Sequence, residues 1–164
     1  MPSPVVLRTV LPDDVPVVER LWQLYRHDLS EFRGTMPDET GVFTPGRLPT
    51  YLDNPDSSGY LICQDTRPVG FAFVSGLEVQ PLRIAEFFVV RSVRRSGVGR
   101  LAAQQLFANH TGRWEVAFQE ENPGAARFWR QLAAEVCPAG HREERRAVPG
   151  KPHIPPDSWL LLTT

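Results

Sequence analysis

Residues 94–100 of this 164-residue chain, Arg-Arg-Ser-Gly-Val-Gly-Arg, combine three arginines with two glycines. They lie between an apolar run and an amphipathic segment, so we expect a turn that leads from a strand into a helix. The first backbone N–H groups of a helix have no intrahelical partner, and the helix dipole adds positive charge there. Gly97 and Gly99 have no Cβ, which lets an anion approach the backbone closely. The pattern predicts a phosphate cradle to which the three arginines add charge.

Three other interpretations of this loop compete with a simple phosphate cradle. Residues 97–102 formally match the dinucleotide fingerprint G-x-G-x-x-G/A, and the acids Glu120 and Glu121 follow about twenty residues later, where a ribose-binding acid is expected. That fingerprint follows its strand directly, whereas residues 91–96 intervene here, and no second βαβ half follows. A nucleotide P-loop requires Gly-Lys-Ser/Thr, which this loop lacks. The third alternative is a glycine turn with a solvated arginine cluster.

Glu86 is the strongest candidate for a general base. It lies in an otherwise apolar strand expected over residues 83–90, whose Phe-Phe-Val-Val end is apolar on both faces, as in a central strand. A carboxylate in such surroundings loses solvation and gains basicity. The alternative is a salt-bridged or solvated Glu86, in which case Glu115 or Glu120 is the next candidate.

The elements that position these residues are expected from the periodicity of apolar side chains. An amphipathic helix follows Pro12-Asp13-Asp14, and two proline-rich stretches, 37–55 and 138–156, are expected to be irregular loops with weak helical pieces near residues 48–52. We expect strands at residues 5–10, 60–64, 69–75, 83–90, 114–119 and 159–162, and further helices beginning near residues 97 and 122. This order predicts one α/β or α+β domain over residues 1–164, with helices against a mixed sheet.

Composition excludes several classes of protein. The formal net charge of -1 gives no basic excess for a nucleic-acid or anionic-membrane partner. No apolar stretch approaches the roughly 20 residues that a bilayer span needs, and the start of the chain lacks a signal-peptide core. Cys63 and Cys137 form no CxxC pair, and the four histidines have no metal-ligand spacing. We therefore expect a cytoplasmic protein without a metal.

Three segments resemble the GNAT superfamily of N-acetyltransferases. R-x-x-G-x-G at residues 94–99 is similar to the family's Q/R-x-x-G-x-G/A pyrophosphate loop, and E-F-F-V at residues 86–89 resembles its fourth strand. N-x-x-A-x-x-F-W at residues 122–129 resembles its second motif, in which Asn opens a helix and an aromatic pair follows. The resemblance covers residues 83–134 closely. It implies acetyl-CoA as donor and a V-shaped, twisted mixed sheet of about six or seven strands with about four flanking helices.

The resemblance also implies roles for individual residues. In the family, backbone groups of the fourth strand hold the pantetheine arm and polarise the thioester carbonyl. Many members have a Tyr at the Trp129 position, proposed to protonate the leaving thiolate, which an indole cannot do. Some carry a catalytic Glu where this chain has Ala117. The expected contacts with the donor are Phe87, Phe88, Val89, Arg94, Arg95, Ser96, Gly97, Val98, Gly99, Arg100, Asn122 and Trp129.

The acceptor is expected to be a primary amine of a small molecule or a short peptide end, attacked directly in a ternary complex. Residues 22–60 contain aromatics and acids that suit an ammonium group through cation–π and ionic contacts, with Tyr25, Glu31 and Tyr51 as candidates. Alternatively, these aromatics belong to the core and the acids to a solvated face. The protein is expected to be a monomer or a homodimer. The competing hypothesis for function is an acyl-CoA-binding regulatory domain with degenerate catalysis.

Overall fold

The computed structural model describes residues 3–164, which form seven strands and four α-helices. The strands make one sheet in the order β1-β2-β3-β4-β5-β7-β6. The elements are β1 (Val5–Thr9), α1 (Val15–Arg33), α2 (Leu48–Asp53), β2 (Ser57–Gln64), β3 (Arg67–Ser75), β4 (Leu82–Val89), α3 (Val98–Asn109), β5 (Arg113–Phe118), α4 (Pro123–Val136), β6 (Arg142–Arg146) and β7 (Asp157–Thr163). The mixed sheet with flanking helices confirms the predicted fold class.

The sheet opens between its two central strands. β4 and β5 run parallel, while every other neighbouring pair in the described sheet is antiparallel. Their pairing ends at Ile84 opposite Val116, although β4 continues to Val89 and β5 to Phe118. The backbone edge of β4 beyond Ile84 is therefore free of β5, and the two halves of the sheet form a V.

A β-bulge lies where the two strands separate. On β3, Phe73 is opposite Glu86 and Val74 is opposite Ile84, which leaves Ala85 without a partner. A bulge re-aims the side chains that follow it, so Ile84 packs with the helices on one face while Glu86 lies on the other. The bulge thus sets the direction of the candidate base.

The helices cover both faces of the sheet. On one face, α1 and α2 pack on β2–β4, with Trp22 stacked on Phe71 at a centroid separation of 5.6 Å. On the other face, α3 and α4 enclose a second cluster that includes Leu106, Trp114 and Leu132. These two clusters fix α1 and α3 on opposite sides of the opening.

One predicted loop is partly wrong. The proline-rich composition of residues 138–156 predicts an irregular loop, but this stretch contains β6, which pairs antiparallel with β7. Its sequence, Arg-Glu-Glu-Arg-Arg, has no apolar alternation, because an edge strand gains its backbone hydrogen bonds from one neighbour while its charged side chains face solvent. Across residues 3–164, no helix has both the length and the apolar character that a bilayer crossing requires.

Candidate active site

A cleft of about 500 Å³ occupies the opening between β4 and β5. Its floor is formed by β4 from Ile84 to Val89 and by the end of β5. The walls come from the inner face of α1, the loop before α3 and the first turns of α4. Among the side chains on these walls are Tyr25, Asp28, Phe32, Arg94, Arg95, Asn122, Phe128 and Trp129. The opening of the sheet therefore creates a cleft that β4, β5, α1, α4 and the loop before α3 line together.

Glu86 lies on the floor of this cleft and is held by two tyrosines. The hydroxyl of Tyr25 on α1 donates a hydrogen bond to Glu86 Oε2, and the hydroxyl of Tyr51 on α2 donates to Oε1 at 3.3 Å. Burial raises the pKa of Glu86. The hydrogen bonds from Tyr25 and Tyr51, and the positive charges of Arg47 and Arg26, act in the opposite direction. The carboxyl group is thus desolvated and oriented, which are the properties expected of a general base.

The two tyrosines are protonated at neutral pH. Burial, followed by the charge and hydrogen bond of Glu86, holds the pKa of Tyr25 well above its ordinary value. Burial and the charge of Glu86 likewise raise the pKa of Tyr51. The sequence pattern assigns both tyrosines to the acceptor, whereas the structure places both on the candidate base.

The other two candidate bases have different surroundings. Glu115 accepts hydrogen bonds from Arg83 at 2.9 Å and Arg146 at 3.0 Å, and Arg146 contributes most to lowering its pKa. Glu120 is paired with Arg130, which likewise lowers the pKa of its carboxyl. An ion-paired carboxylate is a weaker proton acceptor than a desolvated one, so the geometry favours Glu86.

The loop before α3 has the backbone geometry of an anion site. Gly97 is the N-cap with φ = 89°, a left-handed conformation that side chains with a Cβ rarely adopt. The first helical bond runs from Leu101 N to Gly97 O, so the N–H groups of Val98, Gly99 and Arg100 precede the hydrogen-bonded ladder. These donors and the helix dipole form the positive end of α3.

The arginines of this loop do not all face the cleft. Arg94 lines it, but its guanidinium donates to Val89 O at 2.8 Å and is paired with Asp28 of α1. Arg100 bonds Glu135 of α4 at 2.8 Å. Arg95 lines the cleft and forms no ion pair within residues 3–164. Of the three arginines, Arg95 is therefore best placed to meet an anion.

The glycines and Ser96 also have separable roles. A Cβ on Gly97 would meet no atom within 4 Å, so its positive φ, and not crowding, requires glycine in this structure. A Cβ on Gly99 would be in ordinary contact with Phe128 at 3.6 Å and Val89 at 3.7 Å. The Ser96 hydroxyl donates to Val93 O at 2.6 Å, which closes the turn.

The second motif forms the opposite wall. Asn122 caps α4 by accepting a hydrogen bond from Ala125 N at 3.1 Å, and Pro123 follows in the first turn, where its missing N–H costs nothing. α4 then presents Phe128 and Trp129 to Phe87, with ring centroids 5.8 and 5.2 Å away. Trp129 is buried, and it contributes an apolar surface to the cleft.

The acids of residues 22–60 are not gathered in the cleft. Glu31 is exposed and lies outside the cleft lining, and Asp28 pairs with Arg91 and Arg94. Asp38 accepts hydrogen bonds within its own loop. The charged side chains that act on Glu86 are instead Arg26 and Arg47, which the sequence patterns did not single out because neither belongs to a motif.

Comparison with known proteins identifies the family. The model of the acetyltransferase (GNAT) family matches residues 18–133. No curated protein sequence matches the chain. Among solved structures, an acetyltransferase from Thermus thermophilus is similar over 100% of both chains, with a TM-score of 0.72 and 20% identity.

Two further structures share the fold. Spermidine N-acetyltransferase from Vibrio cholerae, in complex with CoA and spermine, has a TM-score of 0.68 and 9% identity over 97% of this chain and 95% of that one. The ribosomal-protein-S18-alanine N-acetyltransferase from Escherichia coli has a TM-score of 0.63 and 12% identity over 98% and 94%. Since the family model spans more than half of the sequence and the fold agrees, this chain belongs to the GNAT acetyltransferase family, which uses acetyl-CoA.

Proposed function

We propose that the protein is an N-acetyltransferase that moves an acetyl group from acetyl-CoA to a primary amine by direct attack in a ternary complex. The observation that carries this proposal is the desolvated carboxyl of Glu86, held by two tyrosines on the floor of the cleft. A structural glutamate in the core would instead be neutralised by an ion pair, as Glu115 is.

The donor fits the cleft through three features. The N–H groups at the start of α3 and the guanidinium of Arg95 suit the pyrophosphate. The edge of β4 beyond Ile84, which has no strand paired on that side, offers N–H and C=O groups to the amides of the pantetheine arm. Phe128 and Trp129 supply the apolar wall. The fold alone does not require these three features to lie in one cleft, whereas binding of acetyl-CoA does.

Glu86 supplies the proton transfer that amide formation needs. The amine nitrogen attacks the thioester carbonyl carbon, and as the C–N bond forms the nitrogen must lose a proton. The Glu86 carboxylate accepts it, directly or through a water. Because burial raises the pKa of this carboxyl, its carboxylate form is a stronger base than that of an exposed glutamate.

The positive charges that act on Glu86 restrict the charge that an acceptor can carry near its reacting amine. Arg26 and Arg47 act on the carboxyl from α1 and from the residue before α2. Their positive charges reach the Glu86 carboxyl, so they disfavour a second ammonium group close to the reacting amine by like-charge repulsion. We therefore propose a small acceptor, or a short peptide end, whose remainder is neutral or anionic close to the amine. This differs from the polyamine named for the Vibrio cholerae neighbour.

The test is the variant Glu86→Gln, which keeps the size of the side chain and removes the base. We expect kcat at neutral pH to fall by about 10²-fold or more. Acetyl-CoA affinity, measured by calorimetry, should stay close to that of the unmodified protein, because Glu86 is not among the expected phosphate contacts. Full kcat in Glu86→Gln between pH 6 and 9 would show that the base lies elsewhere.

The alternative is an acyl-CoA-binding regulatory domain, which Trp129 at the family's usual tyrosine position favours. The two functions separate in a screen of amines, including polyamines, amino acids, aminoglycosides and peptides, for CoA release. A regulatory domain binds acetyl-CoA and releases no CoA above the hydrolytic background with any acceptor. An enzyme with the proposed acceptor preference releases CoA with amino acids or peptides faster than with spermidine.

A further inference from the structure

Trp129 leaves the cleft without a proton donor for the leaving thiolate on the α4 side, because the indole N–H is not an acid at biological pH. The α1 side does present one. Tyr25 lines the cleft, and its hydroxyl reaches Glu86 Oε2. Its ring packs edge-on against the rings of Trp22 and Phe71, with centroid separations of 5.3 Å and 5.4 Å. The phenol is thus held beside the base at the floor of the cleft.

We propose that Tyr25 is the general acid that protonates the departing CoA thiolate and that it shares one proton with Glu86. The inference rests on the proposed N-acetyltransferase function and adds a catalytic residue to it. Tyr25 belongs to α1, outside both motifs that carry the resemblance to the family, so the acid and the base reach the cleft from different elements.

The proton balance closes within the pair. The acceptor reacts as the neutral amine, its ammonium proton having left to solvent. As the C–N bond forms, the nitrogen gives one proton to the Glu86 carboxylate. The C–S bond then breaks with its electron pair on sulfur, which takes the phenolic proton of Tyr25. The new Glu86 carboxylic acid returns its proton to the Tyr25 phenolate along their existing hydrogen bond, and the products are the amide and CoA thiol.

The hydrogen bond between the two groups explains the order of these steps. While Glu86 is ionised, Tyr25 donates to it and the phenolic proton is engaged in that hydrogen bond. Once Glu86 is protonated it becomes a donor, and the Tyr25 hydroxyl is released to point elsewhere. Burial is the largest cause of the raised pKa of Tyr25, and the negative charge of Glu86 and its acceptor role add to it. Neutralising Glu86 removes these two contributions, so the phenol becomes more acidic as sulfur departs.

Tyr51 provides an internal comparison. It donates to the other carboxyl oxygen of Glu86, yet it is buried on the inner face of α2 with its ring stacked on Phe73, and it does not line the cleft. Both tyrosines should position Glu86, but only Tyr25 can reach a ligand in the opening. Tyr51 is therefore a positioning residue.

The test compares acetyl-CoA with acetyl-seleno-CoA, which has the same shape but a leaving group that departs as an anion without needing a proton. A more acidic leaving group makes bond cleavage independent of the acid. We expect Tyr25→Phe to lower kcat by about 10²-fold with acetyl-CoA. With acetyl-seleno-CoA the loss should shrink to about threefold or less, because departure no longer needs the phenol.

Two variants serve as controls. Glu86→Gln should lose the same factor with both donors, since the amine must be deprotonated in each case. Tyr51→Phe should also show equal losses with both, because it acts through Glu86. If Tyr25→Phe loses the same factor with both donors, Tyr25 only positions Glu86 and the proposal is wrong. Absence of turnover by the unmodified protein with either donor and every amine would instead overturn the proposed function itself.

Replacement of Tyr25 by 3-fluorotyrosine gives a second measurement that does not depend on Tyr25→Phe folding. The ring shape is nearly unchanged, and the phenol is more acidic. We expect kcat with acetyl-CoA to rise while kcat with acetyl-seleno-CoA stays constant. An unchanged kcat with acetyl-CoA would count against the acid role.

Discussion

At the scale of single residues, surroundings decide which acid in the cleft region can act as a base. Glu86, Glu115 and Glu120 all lie on or after the two strands that border the opening. Glu115 and Glu120 meet arginines, which lower the pKa of each carboxyl, whereas Glu86 meets two phenols in a desolvated position, and its pKa is raised. A phenol orients a carboxylate without neutralising it, so Glu86 keeps the proton affinity that catalysis uses.

The raised pKa of Glu86 predicts a cost in stability. A carboxyl whose pKa is higher in the folded than in the unfolded protein destabilises the fold progressively as pH rises above the ordinary value of about 4.5. Glu86→Gln removes that ionisation. The melting temperature of the variant, relative to that of the unmodified protein, should therefore increase as pH rises from about 4.5 toward neutrality. Thermal unfolding followed by circular dichroism between pH 4 and 8 measures this difference. A difference that stays constant with pH would contradict the desolvated state of Glu86.

At the scale of elements, the loop before α3 depends on one backbone conformation. Gly97 has a positive φ and an open space around it, so Gly97→Ala introduces backbone strain without a clash. A left-handed residue with a Cβ costs about 1–2 kcal/mol, which corresponds to roughly tenfold weaker acetyl-CoA binding if the loop relaxes in the free protein. Gly41→Ala is the matched control, since Gly41 has a similar positive φ and open surroundings but lies outside the cleft lining. Equal affinities of both variants, measured by calorimetry, would refute this role for Gly97.

Glu115 joins three strands at the point where the sheet opens. Its carboxyl bonds Arg83 of β4 and Arg146 of β6, and it lies on β5 between them. Both arginines are partly exposed, so Glu115→Gln should cost only about 1–2 kcal/mol in urea unfolding. Because the ion pairs lower the pKa of Glu115, this contribution is present at neutral pH and is lost as pH falls below about 4.5.

The control for Glu115 is a surface ion pair of similar geometry. Glu135 bonds Arg100 at 2.8 Å, but both side chains are more exposed than those around Glu115. Glu135→Gln should therefore cost no more than about 0.5 kcal/mol. If both variants have the same stability at neutral pH, the Glu115 cluster does not hold the strands together.

Much of the element order was predictable from the sequence, and the exceptions have physical causes. Apolar runs on either side of a turn in β2 and β3, alternation in β5, and the spacing of Val18, Trp22 and Tyr25 located elements whose stability comes from burial. β6 was missed because its stability comes from backbone pairing with β7 at an exposed edge. The glycine loop and the Asn122 cap are local in sequence and were found.

The contacts of the base are not local and were missed. Tyr25, Tyr51 and Glu86 come from α1, α2 and β4, and only the packed fold brings them together. The β-bulge at Ala85 decides which face Glu86 occupies, and no residue type in that strand signals it. Glu31 is exposed because it lies on the solvent-facing side of α1. The spacing of residues in the sequence does not by itself show on which side of the helix Glu31 lies.

At the scale of the whole molecule, one sheet runs through both halves of the V. β4 and β5 remain paired over Leu82–Ile84 and Trp114–Val116, so the two core clusters share a continuous backbone ladder. We propose that residues 1–164 fold as a single domain. Urea unfolding should then show one transition with the same midpoint by tryptophan fluorescence and by far-ultraviolet circular dichroism. Two separate midpoints would indicate that the halves unfold independently.

The most direct test of acetyl transfer by this protein follows the acetyl group itself. The protein is incubated with acetyl-CoA carrying a ¹³C-labelled acetyl group and each amine of the panel, and the label is followed by NMR. We predict that the label appears in the amide of at least one amine, with an equal amount of free CoA, and that Glu86→Gln slows this by about 10²-fold. Acetyl transfer to an amine would be contradicted if the label stays on CoA with every amine. It would also be contradicted if the label appears only as acetate, at the same rate in both proteins.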